Sequence, residues 1–494
     1  MPKQYLTKTI LTKLPLITSI FILTACQSTS ETLEVTTNRA LLDKPNIIVI
    51  YLDDSGYGDY SHNGNPTIAT PTISKLAQEG VSFSQFYTSS PACSASRYSL
   101  LTGRVPGRSG LGKWVVGPKS ERHIHPKEIT LAEGLQQQGY KTGMFGKWHL
   151  GSPNKLNNMT TDSLPLAHGF EQWIGTNVSH DYIDAKLLST IEESGKEFVS
   201  GYIELAADLP SKQKISDNLT KIHTDSAVEF IEQNKDQPFF AYITYNQPHL
   251  GLNVSDSFNG VSRRGKLGDV MAELDFSINR ILETLQESGI KDNTLIIFSS
   301  DNGPWIKFEN KITKKYGDTR LEIGYALPFK DGKGSNWEGG HRVPGIFYWP
   351  GVIKGKTEQA PASTLDVFPT VMALAGAPLP TDRSIDGRDI SEHLLNKNYK
   401  EQNDFLMMYS GVDNEVTALR QGPWKLLTST YSQLQDNHGF NNISLDNPLL
   451  FQVEQDLSEV IDKSKEMPDK TYHMQQKLKL LQQQINTEGS FWND

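Results

Sequence analysis

Three apolar segments of the chain have the pattern of strands, at residues 46–52 (NIIVIYL), 238–245 (PFFAYITY) and 294–300 (TLIIFSS). The first is a nearly continuous apolar run, which is typical of a strand buried on both faces, and the second is also predicted to be buried. Segments with a helical period of apolar residues alternate with these strands, at residues 71–80, 220–234 and 269–288. Because strands that alternate with helices form βαβ units, we predict an α/β protein with a large mixed, mainly parallel sheet flanked by helices.

The pattern changes after about residue 395. Short strand-like segments replace the long apolar runs, at residues 405–410, 416–420 and 424–427. A polar helix rich in Gln and Lys is predicted at residues 468–485, with a proline at its start. We therefore predict a main domain at residues 45–395 and a smaller α+β C-terminal subdomain at residues 396–494. In one further segment, residues 81–87, apolar and polar residues alternate, which predicts a single strand.

The first residues have the pattern of an export signal. Three lysines precede a short apolar stretch at residues 14–23, which is too short to span a bilayer, so we predict a signal peptide at residues 1–25. Its Leu-Thr-Ala-Cys ending resembles the lipobox of bacterial lipoproteins, which would make Cys26 the lipidated residue and residues 26–44 a flexible tether. We expect export and anchoring through this lipid to a bacterial membrane, the outer membrane in particular. The alternative is an ordinary signal peptide with a chance cysteine.

Charge and cysteine content narrow the function classes. The 494 residues carry a formal net charge of −9. A protein that binds nucleic acid usually has excess positive charge to attract the phosphates, so no nucleic-acid partner is expected. The two cysteines exclude a disulfide framework and a cysteine-rich zinc site. An acidic protein that binds an anionic substrate would need a local cationic pocket.

Polar side chains follow each of the three predicted strands. Asp53 and Asp54 follow the first strand, residues 246–249 (NQPH) follow the second, and Asp301 and Asn302 follow the third. Because ligand sites lie at the carboxyl ends of parallel strands, we expect these segments to converge. The three aspartates and the asparagine form an oxygen-only set that suits calcium or magnesium rather than zinc. The alternative for each aspartate is a helix N-cap or a turn.

Two further clusters carry candidate chemistry. Cys93 is predicted near the start of a helix at residues 96–101, where backbone N–H groups favour an anion, and Arg97 lies one turn further on the same face. Lys147 and His149 would point to the same side of an extended segment, so that a cation and a proton-transfer group would face one site. The structural alternative stays open for each, since a free cysteine and a lone histidine are often core residues.

These motifs together resemble the type I sulfatases of the alkaline phosphatase-like superfamily. CSASR at residues 93–97, followed by LLTG at residues 100–103, resembles their first signature, and residues 139–149 resemble their second. The other motifs fall in the family's order, namely the early Asp53-Asp54 and then Gln247-Pro248-His249, Asp301-Asn302-Gly303, Gly332-Lys333-Gly334 and Glu338-Gly339-Gly340. The resemblance covers about residues 45–390. It implies a sulfatase fold for residues 45–395 and hydrolysis of sulfate esters.

The resemblance also implies a role for each site residue. Cys93 would be oxidised to formylglycine by a formylglycine-generating maturation enzyme, and the aldehyde would hydrate to a geminal diol. One calcium ion, or magnesium, would be held by Asp53, Asp54, Cys93, Asp301 and Asn302. Arg97 would orient the diol, Lys147 and Lys333 would bind sulfate oxygens, His249 would protonate the leaving oxygen, and His149 would bond the second hydroxyl. Ala95 stands where most members have proline, which leaves the maturation system open.

We therefore predict a sulfatase that acts on a sulfated carbohydrate, an algal polysaccharide or its oligosaccharides in particular. Two alternatives stay open: a phosphate or phosphonate ester hydrolase of the same superfamily, and a catalytically inactive surface lipoprotein that binds glycans. Aromatic and cationic residues could form sugar subsites, namely Lys113, Trp114, His180, Trp305 and Trp337. The alternative for each of them is a purely structural role.

Overall fold

The computed structural model describes residues 44–112, 114–152, 161–193, 195–306, 322–395, 405–410, 415–431 and 443–493. The predicted signal peptide, Cys26 and Lys113 lie outside these residues. The described residues belong to one compact unit, Leu42–Asp494. Among their helices, none combines the length and the apolar character that a membrane span requires.

The secondary structure alternates between strands and helices over most of the chain. The strands are β1 (Asn46–Leu52), β2 (Val81–Phe83), β3 (Phe86–Tyr87), β4 (Lys141–Gly146), β5 (Gln172–Thr176), β6 (Leu187–Ser189), β7 (Ile203–Ala206), β8 (Phe239–Thr244), β9 (Thr294–Ser300), β10 (Arg342–Val343), β11 (Gly345–Tyr348), β12 (Lys356–Glu358), β13 (Ala362–Ser363), β14 (Leu406–Ser410), β15 (Val416–Gln421), β16 (Trp424–Thr430) and β17 (Ile443–Gln452). The helices are α1 (Pro71–Glu79), α2 (Cys93–Thr102), α3 (Leu131–Gln136), α4 (Gln213–Ser216), α5 (Leu219–Asn234), α6 (Lys266–Glu287), α7 (Glu338–His341), α8 (Val367–Leu374), α9 (Ser391–Leu394) and α10 (Pro468–Glu488).

The largest sheet has ten strands in the order β12-β2-β11-β9-β1-β8-β4-β5-β6-β7. Its central strands β9, β1, β8, β4 and β5 are all parallel to one another. Antiparallel strands extend it on both sides, β11 next to β9 and β6 next to β5. The predicted mixed, mainly parallel sheet is therefore confirmed.

Both faces of this sheet are buried, which explains the continuous apolar runs. Along β1, Ile47, Val49 and Tyr51 belong to one apolar cluster, and the alternating residues Ile48, Ile50 and Leu52 belong to another. Helices α2, α3 and α8 contribute side chains to the first cluster, and helices α1, α5 and α6 contribute to the second. Because each successive side chain of a strand faces a different layer, both sets must be apolar.

The prediction of a single strand at residues 81–87 is wrong. These residues form two strands, with β2 in the large sheet and β3 in a three-stranded sheet with β10 and β13. Between them, both the backbone N–H and the hydroxyl of Ser84 donate to the carbonyl oxygen of Glu358, at 2.9 and 3.0 Å. The rings of Phe83 and Phe86 still share one apolar cluster, with centroids 5.8 Å apart, so alternation alone did not reveal the change of sheet.

The C-terminal residues form a four-stranded antiparallel sheet in the order β14-β15-β16-β17, covered by α10. Leu478 and Ile485 of α10 share an apolar cluster with Leu419 of β15. Strand β17 was not predicted, because only two of its ten residues are buried and it contains Pro448, a residue typical of edge strands. The boundary at residue 395 stays a prediction, since residues 396–404 lie outside the described part of the chain.

Candidate active site

The polar segments that follow the central strands meet at one edge of the sheet. Strand β1 lies between β8 and β9, parallel to both. The backbone N–H of Asp301 donates to the carbonyl oxygen of Leu52 at 3.1 Å, and that of Asp53 donates to the carbonyl oxygen of Gln247 at 3.4 Å. The parallel register therefore brings the residues after β1, β8 and β9 together, as expected from the sequence.

Cys93 lies among the carboxylates of these segments. It is the first residue of α2, which begins three residues earlier than predicted. Its Sγ is 3.4 Å from Asp53 Oδ1 and 3.9 Å from Asp54 Oδ1. The potential ligand atoms of these three residues and of Asp301 all lie within 4.8 Å of one another, and all four residues are buried. Burial, reinforced by the charge of Asp301, raises the pKa of the Cys93 thiol well above its usual value, so an unmodified thiol would stay protonated.

Asn302 completes a set of oxygen donors. Its Nδ2 donates to Asp54 Oδ1 at 2.8 Å, and its Oδ1 is buried without a hydrogen-bond partner among the described residues. The backbone N–H of Asp54 donates to Asp301 Oδ1 at 3.1 Å, and Asp54 itself has a φ of 64°. Left-handed backbone at a non-glycine residue is a form of strain that is concentrated at functional sites. Carboxylate oxygens with one spare amide oxygen fit a hard cation such as calcium or magnesium.

Three buried cationic side chains pair with the three aspartates. The pairs are Arg97 Nη2 with Asp301 Oδ2 at 2.7 Å, Lys147 Nζ with Asp53 Oδ2 at 2.5 Å, and Lys333 Nζ with Asp54 Oδ1 at 2.7 Å. Burial alone would raise the pKa of Asp53, but Lys147 and the other nearby cationic groups hold it well below its usual range. The formal charges of the three pairs thus balance, and a divalent cation would make the site positive. Burial, reinforced by the charge of Asp53, raises the pKa of Asp301 to about 7, so an added cation would also favour its ionised form.

Arg97 connects α2 to two other parts of the site. Its Nε donates to Asp301 Oδ2 at 3.0 Å, and its Nη1 donates to the carbonyl oxygen of Lys147 at 3.1 Å. The guanidinium group therefore holds the turn after β9 and the end of β4 against the helix that carries Cys93. The segment after β4 continues to His149, whose backbone N–H donates to the carbonyl oxygen of Asn177 at 3.0 Å.

Two histidines border the carboxylate cluster. His249 Nε2 is 3.5 Å from Asp54 Oδ2, and its Nδ1 forms a short hydrogen bond with the carbonyl oxygen of Leu250. Burial lowers the pKa of His249, and Asp54 offsets part of that shift. His149 has a φ of 61°, and both its ring nitrogens are buried without a hydrogen-bond partner among the described residues. Burial, aided by Lys147, lowers the pKa of His149 well below its usual value, so its neutral ring can exchange hydrogen bonds with a ligand.

The loop after β5 adds residues that the sequence analysis missed. The Oγ of Ser179 is 3.4 Å from both ring nitrogens of His249, and Asp181 Oδ1 is 3.9 Å from His249 Nδ1. The rings of Tyr182 and His149 have centroids 6.5 Å apart. The available signal was position, since β5 is another parallel strand whose carboxyl end lies at this edge. Its five residues, QWIGT, lack the apolar run that identified β1, β8 and β9.

The proposed sugar-contacting residues separate into two groups. The ring of Trp305 has its centroid 5.6 Å from that of His249 and 5.0 Å from Lys333 Nζ, and Trp114 shares an apolar cluster with Cys93. His180 has its ring centroid 5.9 Å from that of His249. Trp337, in contrast, is buried against Phe451, with centroids 5.8 Å apart, so its proposed role in sugar binding is wrong. Large apolar neighbours on the C-terminal sheet keep its indole from a ligand.

Comparisons with known proteins agree with this arrangement. The sulfatase family model matches residues 45–377. Over 411 residues the chain is 36% identical to the arylsulfatase of Hemicentrotus pulcherrimus, which covers 81% of this chain and 71% of that protein. The crystal structure of PsFucS1 sulfatase from Pseudoalteromonas sp. is 28% identical with a TM-score of 0.75, covering 90% of each chain. Ps i-CgsB in complex with k-i-k-neocarrahexaose is 28% identical with a TM-score of 0.67, covering 89% of this chain and 93% of that one.

The family match spans most of the large sheet and every residue of the carboxylate cluster. The chain therefore belongs to the type I sulfatase family of sulfuric ester hydrolases.

Proposed function

We propose that this chain removes sulfate from a sulfated carbohydrate and that position 93 carries the reacting group. The observation that supports this most directly is the position of Cys93 at the start of α2, within 3.4 Å of Asp53 Oδ1 and beside Asp54. Two lysines, Lys147 and Lys333, pair with those same aspartates. With a divalent cation among the aspartates, such a site would carry excess positive charge, which suits an anionic ester as substrate.

The family relationship supports two groups that the site would hold. Formylglycine at position 93, which a maturation enzyme would produce from the cysteine, supplies a hydrated aldehyde as the nucleophile, and a calcium or magnesium ion supplies positive charge for sulfate oxygens. The oxygen donors that would hold the ion are Asp53, Asp54, Asp301 and Asn302, and the buried, unpartnered Oδ1 of Asn302 supports this assignment.

The remaining residues of the site would bind and orient the ester. Lys147 follows β4 and Lys333 lies on the loop before α7, and each pairs with a carboxylate next to Cys93, so they can contact two sulfate oxygens and neutralise their charge. Arg97 holds Asp301 and the backbone of Lys147 in place. The unpartnered ring nitrogens of His149 are available to a hydroxyl at position 93.

We expect His249 to protonate the leaving oxygen. A sugar alkoxide is a poor leaving group, whereas nitrophenolate leaves without a proton. His249→Ala should therefore lower kcat/KM for a sugar sulfate by about 10²- to 10⁴-fold and lower that for nitrophenyl sulfate much less. Initial rates of both reactions measure the difference. His473→Ala, at an exposed position on α10, is the matched control. Equal losses with the two substrates would rule out this role.

A carbohydrate substrate is supported by the aromatic residues at the site and by one similar structure. Trp305 lies beside His249 and Lys333, where its ring can stack on a sugar. Ps i-CgsB, at 28% identity, was crystallised with k-i-k-neocarrahexaose. We propose an algal polysaccharide or its oligosaccharides as the substrate of this chain.

Sulfate release from a panel of defined sulfated oligosaccharides tests the substrate class. The panel contains galactans, fucans and glycosaminoglycan fragments, with a matched pair of aryl sulfate and aryl phosphate. Hydrolysis of one sugar sulfate well above the aryl sulfate is the expected result. Faster turnover of the aryl phosphate would favour the phosphate ester alternative. Activity on aryl sulfate without release from any sugar would contradict a carbohydrate substrate.

We also propose that Cys26 anchors the exported protein through a lipid. The Leu-Thr-Ala-Cys sequence supports this assignment. Cys26→Ala should move the protein from the membrane fraction to the soluble fraction of the expressing bacterium, as measured by immunoblotting. Retention of the variant in the membrane fraction would contradict the lipid anchor.

A further inference from the structure

A fully buried charge cluster joins the C-terminal sheet to the candidate active site. Lys425 of β16 pairs with Glu338 Oε1 at 3.0 Å and with Glu459 Oε1 at 2.8 Å. The backbone N–H of Glu338 donates to Glu459 Oε2 at 2.7 Å. The exposed fraction of the Lys425 and Glu338 side chains is 0%. Buried charges of this kind are stable only when every partner is present.

Glu338 is held in its ionised form. The hydroxyls of Tyr87 and Tyr409 donate to its two carboxylate oxygens at 2.7 and 2.9 Å. Burial alone would raise the pKa of Glu338, but Lys425, with two nearby arginines, brings it to about 2. Removing the charge of Lys425 would therefore leave a carboxylate in the protein interior without its main partner.

The residues around Glu338 contact the turn after β9, which carries Asp301 and Asn302. Directly after Glu338, the backbone N–H of Gly339 donates to the carbonyl oxygen of Lys330 at 2.8 Å, which closes residues 330–340 into a compact loop. The carbonyl oxygen of Gly340 accepts from the backbone N–H of Gly303 at 3.0 Å. A Cβ at position 303 would lie 1.8 Å from the carbonyl oxygen of Gly339, so the two backbones touch.

The same loop carries Lys333. Its backbone N–H donates to the carbonyl oxygen of Pro304 at 2.9 Å, and that of Gly334 donates to the carbonyl oxygen of Pro91 at 3.0 Å, two residues before Cys93. On the opposite side, Asn336 Nδ2 donates to the carbonyl oxygen of Ser429 in β16 at 2.7 Å. The loop is thus held between the active-site strands and the C-terminal sheet.

From these contacts we infer that the Lys425–Glu338–Glu459 cluster is a positioning device for Lys333. The inference rests on the proposed role of Lys333 in binding sulfate. Lys425 and Glu459 belong to the C-terminal residues. The C-terminal sheet therefore contributes to the active site, because it positions Lys333. Glu338 starts the Glu-Gly-Gly motif found in the sequence, and this role accounts for its position.

Two variants test the inference. Lys425→Met removes the charge at nearly constant length, and Lys425→Met combined with Glu459→Gln removes one charge of each sign for the case in which the single variant folds poorly. Lys479→Met, at an exposed position on α10, is the matched control. The melting temperature of each variant shows whether the fold persists, and all rates are measured well below it.

Hydrogen exchange provides a measurement that does not depend on activity. In either variant, amide exchange should rise at least tenfold in peptides that cover residues 330–341 and stay unchanged in the peptide that covers β1. Unchanged exchange at residues 330–341 would overturn the inference, whether or not the protein is a sulfatase. A uniform rise over the whole chain would also overturn it, because that result indicates general destabilisation.

A double-mutant cycle with Lys333→Ala tests the functional link. Lys425→Met alone should lower kcat/KM for a sulfate ester by about 10²-fold, the scale of a misplaced binding group. In the Lys333→Ala background, the same substitution should have almost no further effect, because its target is already absent. Losses that multiply across the cycle would show that Lys425 acts independently of Lys333 and would overturn the inference.

Discussion

Replacing Cys93 by alanine is expected to abolish sulfate release, with a loss in kcat/KM of about 10⁴-fold or more. Charged side chains surround the side chain at position 93. Asp53 Oδ1 is 3.4 Å from its Sγ, and two lysines pair with the adjacent carboxylates. Alanine provides neither a thiol for oxidation nor any other nucleophile. Free sulfate released from a sugar sulfate, measured over hours with concentrated enzyme, sets the upper limit on residual activity.

The fold should survive this change. Cys93 shares a small apolar cluster with Ala92 and Val115, and alanine removes only one atom from it, so the melting temperature should fall by a few degrees at most. Mass spectrometry of the peptide that contains position 93 gives the complementary test in the wild-type protein. An unmodified thiol in fully active enzyme, or full activity of Cys93→Ala, would contradict the proposed chemistry.

Removal of the proposed divalent cation is expected to lower kcat/KM by about 10²-fold or more. Arg97, Lys147 and Lys333 are already balanced by three aspartates, so the lysines alone give little excess positive charge for an anionic ester. A divalent ion among the carboxylates shifts this balance toward positive charge, which favours both binding and the charge that develops on sulfate oxygens. Chelation followed by elemental analysis and rate measurements tests this expectation.

Restoring activity by adding metal back to the chelated enzyme distinguishes loss of the ion from damage to the protein. Calcium, and to some extent magnesium, should restore the activity of the chelated enzyme, because both prefer oxygen ligands. Asn302→Asp provides a second test, since an added carboxylate should change the affinity for the ion while the fold is kept. Full activity in protein that elemental analysis shows to be free of divalent metal would contradict a catalytic cation.

The arrangement of the central strands could be predicted because it depends on local pattern. The runs that form β1, β8 and β9 are apolar on both faces, and only parallel strands covered by two layers require that. Their carboxyl ends must then meet, so the amino-acid pattern alone was enough to place Asp53 and Asp301 together. By contrast, the loop after β5 escaped notice because Ser179 and Asp181 follow a strand without a distinctive run.

Trp337 shows the limit of reasoning from residue type. An isolated aromatic residue near a family motif suggested sugar binding, yet Phe451, more than a hundred positions later in the chain, covers its ring. Composition and periodicity describe how a residue relates to its near neighbours, and they contain no information about such partners.

For this protein, the sequence by itself determined the family, the parallel sheet and the residues that meet at its edge. The family was inferred from the resemblance of the ordered motifs, whereas the sheet and the meeting residues follow from short-range pattern and from the geometry that parallel strands share. Only the tertiary structure decided which cationic side chain pairs with which carboxylate. It also decided the contact between Lys425 of the C-terminal sheet and Glu338, through which Lys425 supports the loop of Lys333. The physical reason is that ion pairs and burial are formed between segments that lie far apart in the chain, where side-chain distances depend on the complete fold.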